Sequence, residues 1–369
     1  MNHLRRASAL LAIGALTPLL TLAPAAPVLA DEDGSSAVYT MTNAVSGNEV
    51  LAFHRSNDGS LAPAGTFATG GTGTGSGLGS GHSLAVSDNG DRLVVVNAGS
   101  NSVSAFRVGA NGLLHLIGNP APSGGSRPTS VALHDDLVYV LDAGSNSIAG
   151  FHLDGDSGLV PINGSEQPLG TGTSVPSQIQ FDKTGHVLIV DERGSSTIDT
   201  FVLSDRGVAG PAHTTASDAG GPFGFDVNRR GDILFSAVAL GGGLMSGATS
   251  YDVTRDGTLT PNGAPVSSGQ AAACWLAAAG HFAYTTNAGS GSIGRFAVAH
   301  DGSLSLIGTT VVGTGSHPLD EAVSRDQHFL TVLVDGLHQI NEYRVGHDGS
   351  LTPVSSVAVP AGAIGVAAH

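Results

Sequence analysis

Carboxylates and other polar side chains follow several of the short apolar runs in this sequence. Asp142 ends one such run, and Asp191, Glu192 and Arg193 end the next. Carboxylates and histidines act as general bases that activate water, and a nearby arginine stabilises a developing oxyanion. We expect side chains of these types to converge on one opening.

Most of these residues also have a structural explanation. Asn and Asp at the start of a turn hydrogen bond to their own backbone, which explains Asn97, Asp142 and Asn287 in three nearly identical turns. Glu192 differs, because Asp191 already occupies the turn position and no other repeat places a carboxylate directly after it. An acidic ring can also hold a hard cation, but no calcium-loop spacing is present, so we expect no metal site.

Three recurring markers predict the elements that position these residues. An aromatic residue follows each turn at intervals of 45 to 53 residues: Phe53, Phe106, Phe151, Phe201, Tyr251, Phe296 and Tyr343. A glycine turn closed by an apolar residue comes next, as in Asp58-Gly59-Ser60-Leu61. A proline then precedes an inner strand in four repeats: Pro128, Pro176, Pro222 and Pro318. Repeats of this length are typical of propeller blades, so we predict an all-β, seven-bladed β-propeller with four strands per blade.

The two ends of the repeat array indicate how the ring closes. Residues 37–40 match the second strand of a blade, and residues 364–367 match a first strand. We therefore predict that the C-terminal strand completes the N-terminal blade, which removes the open sheet edges. Cys274 is the only cysteine, so no internal disulfide supplies this constraint.

The propeller geometry predicts where the polar residues meet. We label the four strands of each blade A to D, from the innermost outward. The D-to-A links between blades and the B-to-C turns within blades then lie on the same face of the ring. That face holds a mouth of the central channel. We predict Glu192 and Asp142 as catalytic residues there, with Glu192 pointing into the mouth near Gln178 and Asp142. The predicted substrate-binding residues at the same mouth are His82, Arg127, Gln178, Arg193, His317 and Asp320.

The N-terminus and the net charge limit the location and the partners. Residues 1–30 combine Arg5-Arg6, an apolar run and small residues at the end, which predicts a signal peptide and an exported mature chain, residues 31–369. Its removal takes two of the 15 basic residues and none of the 30 acidic ones, so the charge becomes −17. Such a surface repels nucleic acid and anionic membranes, so we expect neither as a partner. We expect a monomer without a cofactor.

The repeats resemble those of the lactonase β-propellers, the family of bacterial 6-phosphogluconolactonase and fungal carboxymuconate cyclase. The resemblance covers the whole mature chain. It rests on blades such as the one in which residues 90–97 form a glycine turn and a β run ending in Asn97, and residues 101–106 form a strand ending in Phe106. It implies catalysis on two successive blades, where Asp142 and Glu192 match family carboxylates. The family's histidine is replaced here by Thr129 or Ser130, and its Arg-His pair by Ser177-Gln178.

Two functions follow from this resemblance. The first is an exported enzyme, either a cyclase-like enzyme or a hydrolase that opens a non-phosphorylated lactone at the channel mouth with Glu192 as the base. Export and the scarcity of basic residues argue against a phosphorylated sugar lactone. The alternative is a non-catalytic propeller that binds a protein, glycan or small molecule through the same face, as the missing Arg and His favour. Fold alone does not decide between them.

Overall fold

A computed structural model describes residues 36–109, 112–172, 174–238 and 246–369. The predicted signal peptide, residues 1–30, lies outside the described residues. Seven antiparallel sheets follow one another along the chain, which confirms the predicted seven-bladed β-propeller. The only helix among the described residues is a single 3-10 turn, Asp335–Leu337, and no helix there is long and apolar enough to span a membrane.

In the first four blades the strands run from the channel outward. Blade 1 contains β30 (Ile364–Ala368), β1 (Ala37–Met41), β2 (Glu49–Arg55) and β3 (Leu61–Ala68). Blade 2 contains β4 (Leu84–Val86), β5 (Arg92–Asn97), β6 (Ser102–Val108) and β7 (Leu114–Pro122). Blade 3 contains β8 (Pro128–His134), β9 (Leu137–Asp142), β10 (Ser147–Asp154) and an outer strand in two pieces, β11 (Gly158–Pro161) and β12 (Gln167–Pro168). Blade 4 contains β13 (Pro176–Phe181), β14 (Val187–Glu192), β15 (Thr197–Val202) and β16 (His213–Ala216).

The remaining three blades follow the same plan. Blade 5 contains β17 (Pro222–Val227), β18 (Ile233–Ala237), β19 (Gly247–Val253) and an outer strand in two pieces, β20 (Leu259–Pro261) and β21 (Val266–Ser267). Blade 6 contains β22 (Ala273–Ala279), β23 (Phe282–Asn287), β24 (Ser292–Val298) and β25 (Leu304–Val311). Blade 7 contains β26 (Pro318–Val323), β27 (Phe329–Val334), β28 (Gln339–Val345) and β29 (Leu351–Ala358).

The sequence markers have direct structural causes. The seven recurring aromatic residues are all buried between blades. The four recurring prolines each begin an inner strand, a position where the missing N–H removes no ladder hydrogen bond. The recurring glycines have positive φ, 74° at Gly112 and 72° at Gly207, which L side chains rarely adopt. Their carbonyls accept hydrogen bonds from Tyr39 and Tyr139 of the preceding blade, so the same turns also tie neighbouring blades together.

The C-terminal strand closes the ring as the sequence predicts. Strand β30 pairs antiparallel with β1, placing Val38 opposite Ala368 and Met41 opposite Ile364. Arg55 is buried and donates to the backbone carbonyl of His369 at 2.7 Å and to Glu342 of blade 7 at 3.3 Å. Strands β1 and β30 are therefore joined by the hydrogen bonds of the sheet, and the buried Arg55 side chain adds a further contact to the C-terminal residue.

Candidate functional site

Strand pairing decides which residue ends strand B in each blade. Asp142 lies opposite Pro128 and Ser147, and Glu192 lies opposite Pro176 and Thr197 in the same way. Glu192 is therefore the counterpart of Asp142, while Asp191 lies one residue earlier. The sequence interpretation that gave Asp191 this position is wrong. Because one residue reverses the direction of a side chain in a strand, Asp191 and Glu192 face opposite sides of the blade.

The two carboxyls predicted as catalytic, Asp142 and Glu192, are held by the links that enter their own blades. Asp142 Oδ1 accepts a hydrogen bond of 2.6 Å from the Ser123 hydroxyl, and Glu192 Oε2 accepts one of 2.6 Å from the Thr171 hydroxyl. Asn97 makes the equivalent contact with Thr69 in blade 2, also at 2.6 Å. Both Asp142 and Glu192 are 0% exposed, so the structure buries Glu192 instead of exposing it at the channel mouth.

Burial changes the acidity of these carboxyls. It raises the pKa of Asp142 to about 7, and it raises the pKa of Glu192 to about 7 with a further contribution from neighbouring Asp199. Asp191 is also fully buried, and burial raises its pKa well above the usual range. A pKa near 7 suits proton transfer. The lack of exposed surface, however, keeps solvent away from Glu192 in this conformation.

One link crosses the mouth at which the candidate residues were expected to meet. The link between blades 1 and 2, residues 69–83, is 15 residues long, whereas the other six links have five to seven. We call residues 69–83 the strap. Gly81 N–H donates to the Ser177 carbonyl of blade 4, and the Ser80 carbonyl accepts from Trp275 Nε1 of blade 6 at 2.9 Å. A link between blades 1 and 2 reaches blades 4 and 6 only by passing over the channel axis.

Three predicted substrate-binding residues come together beneath or beside the strap. His82 is its penultimate residue, and its Nδ1 lies 3.4 Å from Gln178 Nε2. Gln178 is almost fully buried, and its Nε2 donates to the Phe225 carbonyl. Asp320 is buried and accepts from the backbone N–H groups of Glu321 and Val366. Burial raises the pKa of Asp320 to about 7 and lowers the pKa of His82 to about 4, so His82 is neutral at pH 7.

The other three predicted substrate-binding residues lie elsewhere on this face. Arg127 is exposed and donates to the Leu78 carbonyl of the strap at 3.2 Å. Arg193 is half-buried with its guanidinium 5.0 Å from the centre of the Phe223 ring. His317 is exposed. None of these three residues forms an ion pair with Glu192 or Asp142 in the described part of the chain, and the catalytic and binding roles given to all eight residues stay predictions.

The channel beneath the strap contains a cavity of about 270 Å³, lined by residues from all seven inner strands. Its polar lining residues are His82, Asp88, Gln180, Asp226 and Glu321, among mostly aliphatic neighbours. Asp226 accepts from the backbone N–H groups of Val227 and Ala278 and from Gln180 Nε2. Glu321 Oε1 accepts from Thr286 N–H at 3.2 Å, while Glu321 Oε2 is buried and has no hydrogen-bond partner in the described part of the chain.

The acidity of the two channel carboxyls differs for physical reasons. Burial raises the pKa of Glu321 well above its usual range, and the nearby carboxyls of Asp320 and Asp226 raise it further. Burial also raises the pKa of Asp226, but its three hydrogen-bond donors oppose that rise. A shared proton is therefore held more strongly by Glu321 than by Asp226.

The cavity continues to the opposite face of the ring, where the A-to-B turns lie. A wider space of about 670 Å³ there shares Gln180 and Asp226 with the channel cavity and is lined by residues of every blade. Lys183, Arg229 and Arg325 stand at this mouth. No group of three or more His, Cys, Asp or Glu side chains within the described ranges is arranged to hold a metal ion.

The two channel carboxyls, Asp226 and Glu321, are absent from the residues that the sequence pattern predicted. Asp226 and Glu321 lie inside inner strands, in Pro-Phe-Gly-Phe-Asp-Val and Pro-Leu-Asp-Glu-Ala-Val. A carboxyl within an apolar inner strand is costly to bury without a purpose. That signal was present in the sequence and points to the channel interior.

One known protein family matches the sequence of this chain. The sequence model of a family described as "Lactonase, 7-bladed beta-propeller" matches residues 35–176 and 247–364. The unmatched residues 177–246 contain Gln178, Glu192 and Asp226. No curated protein sequence matches the chain.

Solved structures share the fold at low sequence identity. A putative 6-phosphogluconolactonase from Bacteroides fragilis is 18% identical with a TM-score of 0.71, covering 93% of this chain and 100% of that one. The periplasmic gluconolactonase of Pseudomonas aeruginosa is 16% identical with a TM-score of 0.69, covering 90% of this chain and 98% of that one. At such identities the likeness concerns the fold alone.

Proposed function

Because this chain belongs to the lactonase family of seven-bladed β-propellers, we propose that it hydrolyses a small, non-phosphorylated lactone in its central channel. The observation that carries this proposal is that Glu321 lines a cavity shared with Asp226, while its buried Oε2 has no hydrogen-bond partner among the described residues. Two carboxyls whose surroundings separate their acidities are the usual arrangement for one acid and one base. Export through the predicted signal peptide, residues 1–30, would take the chain away from phosphorylated sugars, which supports a non-phosphorylated substrate.

The proposed reaction uses both carboxyls. Asp226 takes a proton from a water molecule as the water oxygen attacks the lactone carbonyl carbon. Protonated Glu321 donates a hydrogen bond to the carbonyl oxygen, which becomes the oxyanion of the tetrahedral intermediate. The intermediate collapses with cleavage of the ring C–O bond, and the proton held by Asp226 passes to the departing alkoxide. The product is a hydroxy acid, and both carboxyls return to their starting protonation states.

We expect Asp226→Asn and Glu321→Gln each to lower kcat by at least ~10²-fold, since each removes one proton-transfer or hydrogen-bonding role. The measurement is pH-stat titration of wild type and variants against a panel of neutral sugar and aliphatic lactones. Glu192→Gln is the matched control, because it changes a buried carboxyl of the same fold outside the channel lining. Loss of turnover in Glu192→Gln alone would return the base to Glu192 and overturn the channel assignment.

The non-catalytic alternative has its own support. The strap covers one mouth, and hydroxyl groups of two links hold Asp142 and Glu192, the carboxyls that match the family. If wild type turns over no lactone in the panel, the enzyme proposal fails. The chain would then use its faces to bind a protein, a glycan or a small molecule.

A further inference from the structure

The mouth on the A-to-B turn face gathers basic side chains in an otherwise acidic protein. The whole sequence has one lysine, and this residue, Lys183, lies at the mouth with Arg229 and Arg325. His369, the last residue, lines the same space. We call Lys183, Arg229, Arg325 and His369 the cation ring. Three of the 15 basic residues of the chain thus stand around one opening, which Asp88, Asp182 and Asp226 also line.

Contacts within the cation ring connect four blades. Lys183 Nζ donates to the Arg229 carbonyl, and Arg229 Nη2 donates to the Arg325 carbonyl at 2.9 Å. Arg325 Nη1 lies 3.2 Å from His369 Nε2. These contacts hold the charged groups over the opening, from blade 4 through blades 5 and 7 to blade 1.

The cations of this ring have no carboxylate partner among the described residues. In that part of the chain, arginine ion pairs form at Arg55, Arg92 and Arg230. The carboxyls that also line the mouth are Asp88, Asp182 and Asp226. Asp182 accepts from Thr184 and from the His186 and Val187 N–H groups, and Asp226 already accepts from three donors of its own. Lys183, Arg229 and Arg325 each use one nitrogen in the contacts above, and their remaining N–H groups are available to an anion from solution.

We propose that the cation ring binds the carboxylate of the hydroxy acid that the channel produces. This inference rests on the proposed function, which converts a neutral lactone into an anion inside a cavity lined by Asp226 and Glu321. The carboxyl of the product ionises by giving its proton to water, the carboxylate of the Asp226 base repels the resulting anion, and the ring attracts it at the end of the channel that the strap leaves uncovered. Charge-assisted hydrogen bonds to guanidinium and ammonium groups recognise a carboxylate.

The test is isothermal titration calorimetry of the mature chain with gluconate as the probe. Glucose serves as the neutral control and inorganic phosphate as a second anion. We expect gluconate to bind with an affinity that falls as salt rises, and glucose not to bind. Lys183→Met and Arg325→Met should each weaken gluconate binding at least ~10-fold. Arg107→Met is the matched control, because Arg107 is exposed and donates to the Gly155 carbonyl away from the mouth.

The outcomes separate this inference from the proposed function. Absence of gluconate binding, equal binding in the ring variants, or binding of phosphate alone would overturn the ring as a carboxylate site, whatever the lactone assay shows. Gluconate binding that depends on the ring in a protein without lactone turnover would leave the site standing and remove its role in product release. Titrating Glu321→Gln as well shows that binding is measured independently of catalysis.

Discussion

Glu192 and Asp199 lie together in blade 4 as a buried carboxyl pair. Asp199 accepts from Gly170 N–H and from Thr214 Oγ1, both at 2.6 Å, while Glu192 accepts from Thr171. Both carboxyls thus fasten the link that enters the blade. Because two neighbouring buried carboxylates repel each other, one proton between them is favoured. The role visible in the structure is the attachment of a link, and any catalytic role of Glu192 requires that link to move.

The pair predicts a pH-dependent contribution to stability. Burial first, and Asp199 second, raise the pKa of Glu192 from 4.5 to about 7 in the folded chain. Between these values the folded state holds a proton that the unfolded state has released. The free energy of unfolding therefore falls as pH rises, and this contribution is lost above pH ~7. Glu192→Gln cannot ionise, so relative to wild type it should gain about 1–3 kcal/mol between pH 4.5 and pH 8.

Urea denaturation of wild type and Glu192→Gln at several pH values measures this difference. Asp205→Asn is a suitable control because Asp205 is an exposed carboxylate in an outer turn. A stability difference between Glu192→Gln and wild type that stays constant from pH 4.5 to pH 8 would contradict the assignment.

At the scale of elements, the strap distinguishes this propeller from a simple ring of equal blades. Seven of its 15 residues are glycine, and the backbone approaches neighbouring groups too closely for side chains at several of them. A Cβ atom at Gly81 would overlap Gln178 Oε1, whereas one at Gly77 would meet no atom within 4 Å. The glycines thus permit the close contact that seals this mouth.

Gly81→Ala should destabilise the chain by about 1–3 kcal/mol, because the new methyl group must displace Gln178 or lift the strap. Gly77→Ala, in the same link, should stay within ~0.5 kcal/mol of wild type. Chemical denaturation of the two variants measures both values. Equal effects at Gly81 and Gly77 would mean that the strap does not press on Gln178 in solution.

The elements differ in how well the sequence predicts them. The blades were predictable because each blade repeats the same local backbone conformations, which require the same residue types. Examples are the positive φ of Gly112 and Gly207 and the position of Pro128 at the start of a strand. The strap was not, because its path depends on Trp275, which lies 195 residues from Ser80 in the chain. The register of Asp191 and Glu192 was also ambiguous, since two adjacent carboxylates fit the same turn pattern. Strand pairing with Pro176 resolves it.

The whole molecule depends on one non-local closure. Strand β30 supplies the innermost strand of blade 1 and lies more than 300 residues from its partner β1 in the sequence. Ile364 and Val366 are buried on it, and Val366 N–H donates to Asp320 of blade 7. The Arg55 contact with the His369 carbonyl adds a second tie at the same seam. With no disulfide possible, these contacts hold the two ends of the ring together.

Deletion of residues 364–369 should therefore lower the free energy of unfolding by at least about 4 kcal/mol. The deletion removes two buried aliphatic side chains, each worth roughly 1–4 kcal/mol, and exposes the edge of β1. It also leaves Arg55 and Asp320 buried without these backbone partners, which adds to the loss. Thermal unfolding followed by circular dichroism measures the change. His369→Ala keeps the strand and its backbone carbonyl, so it should unfold close to the wild-type temperature. A truncated chain with an unchanged midpoint would show that the ring is stable without the final strand, and that the seam between blades 1 and 7 contributes little.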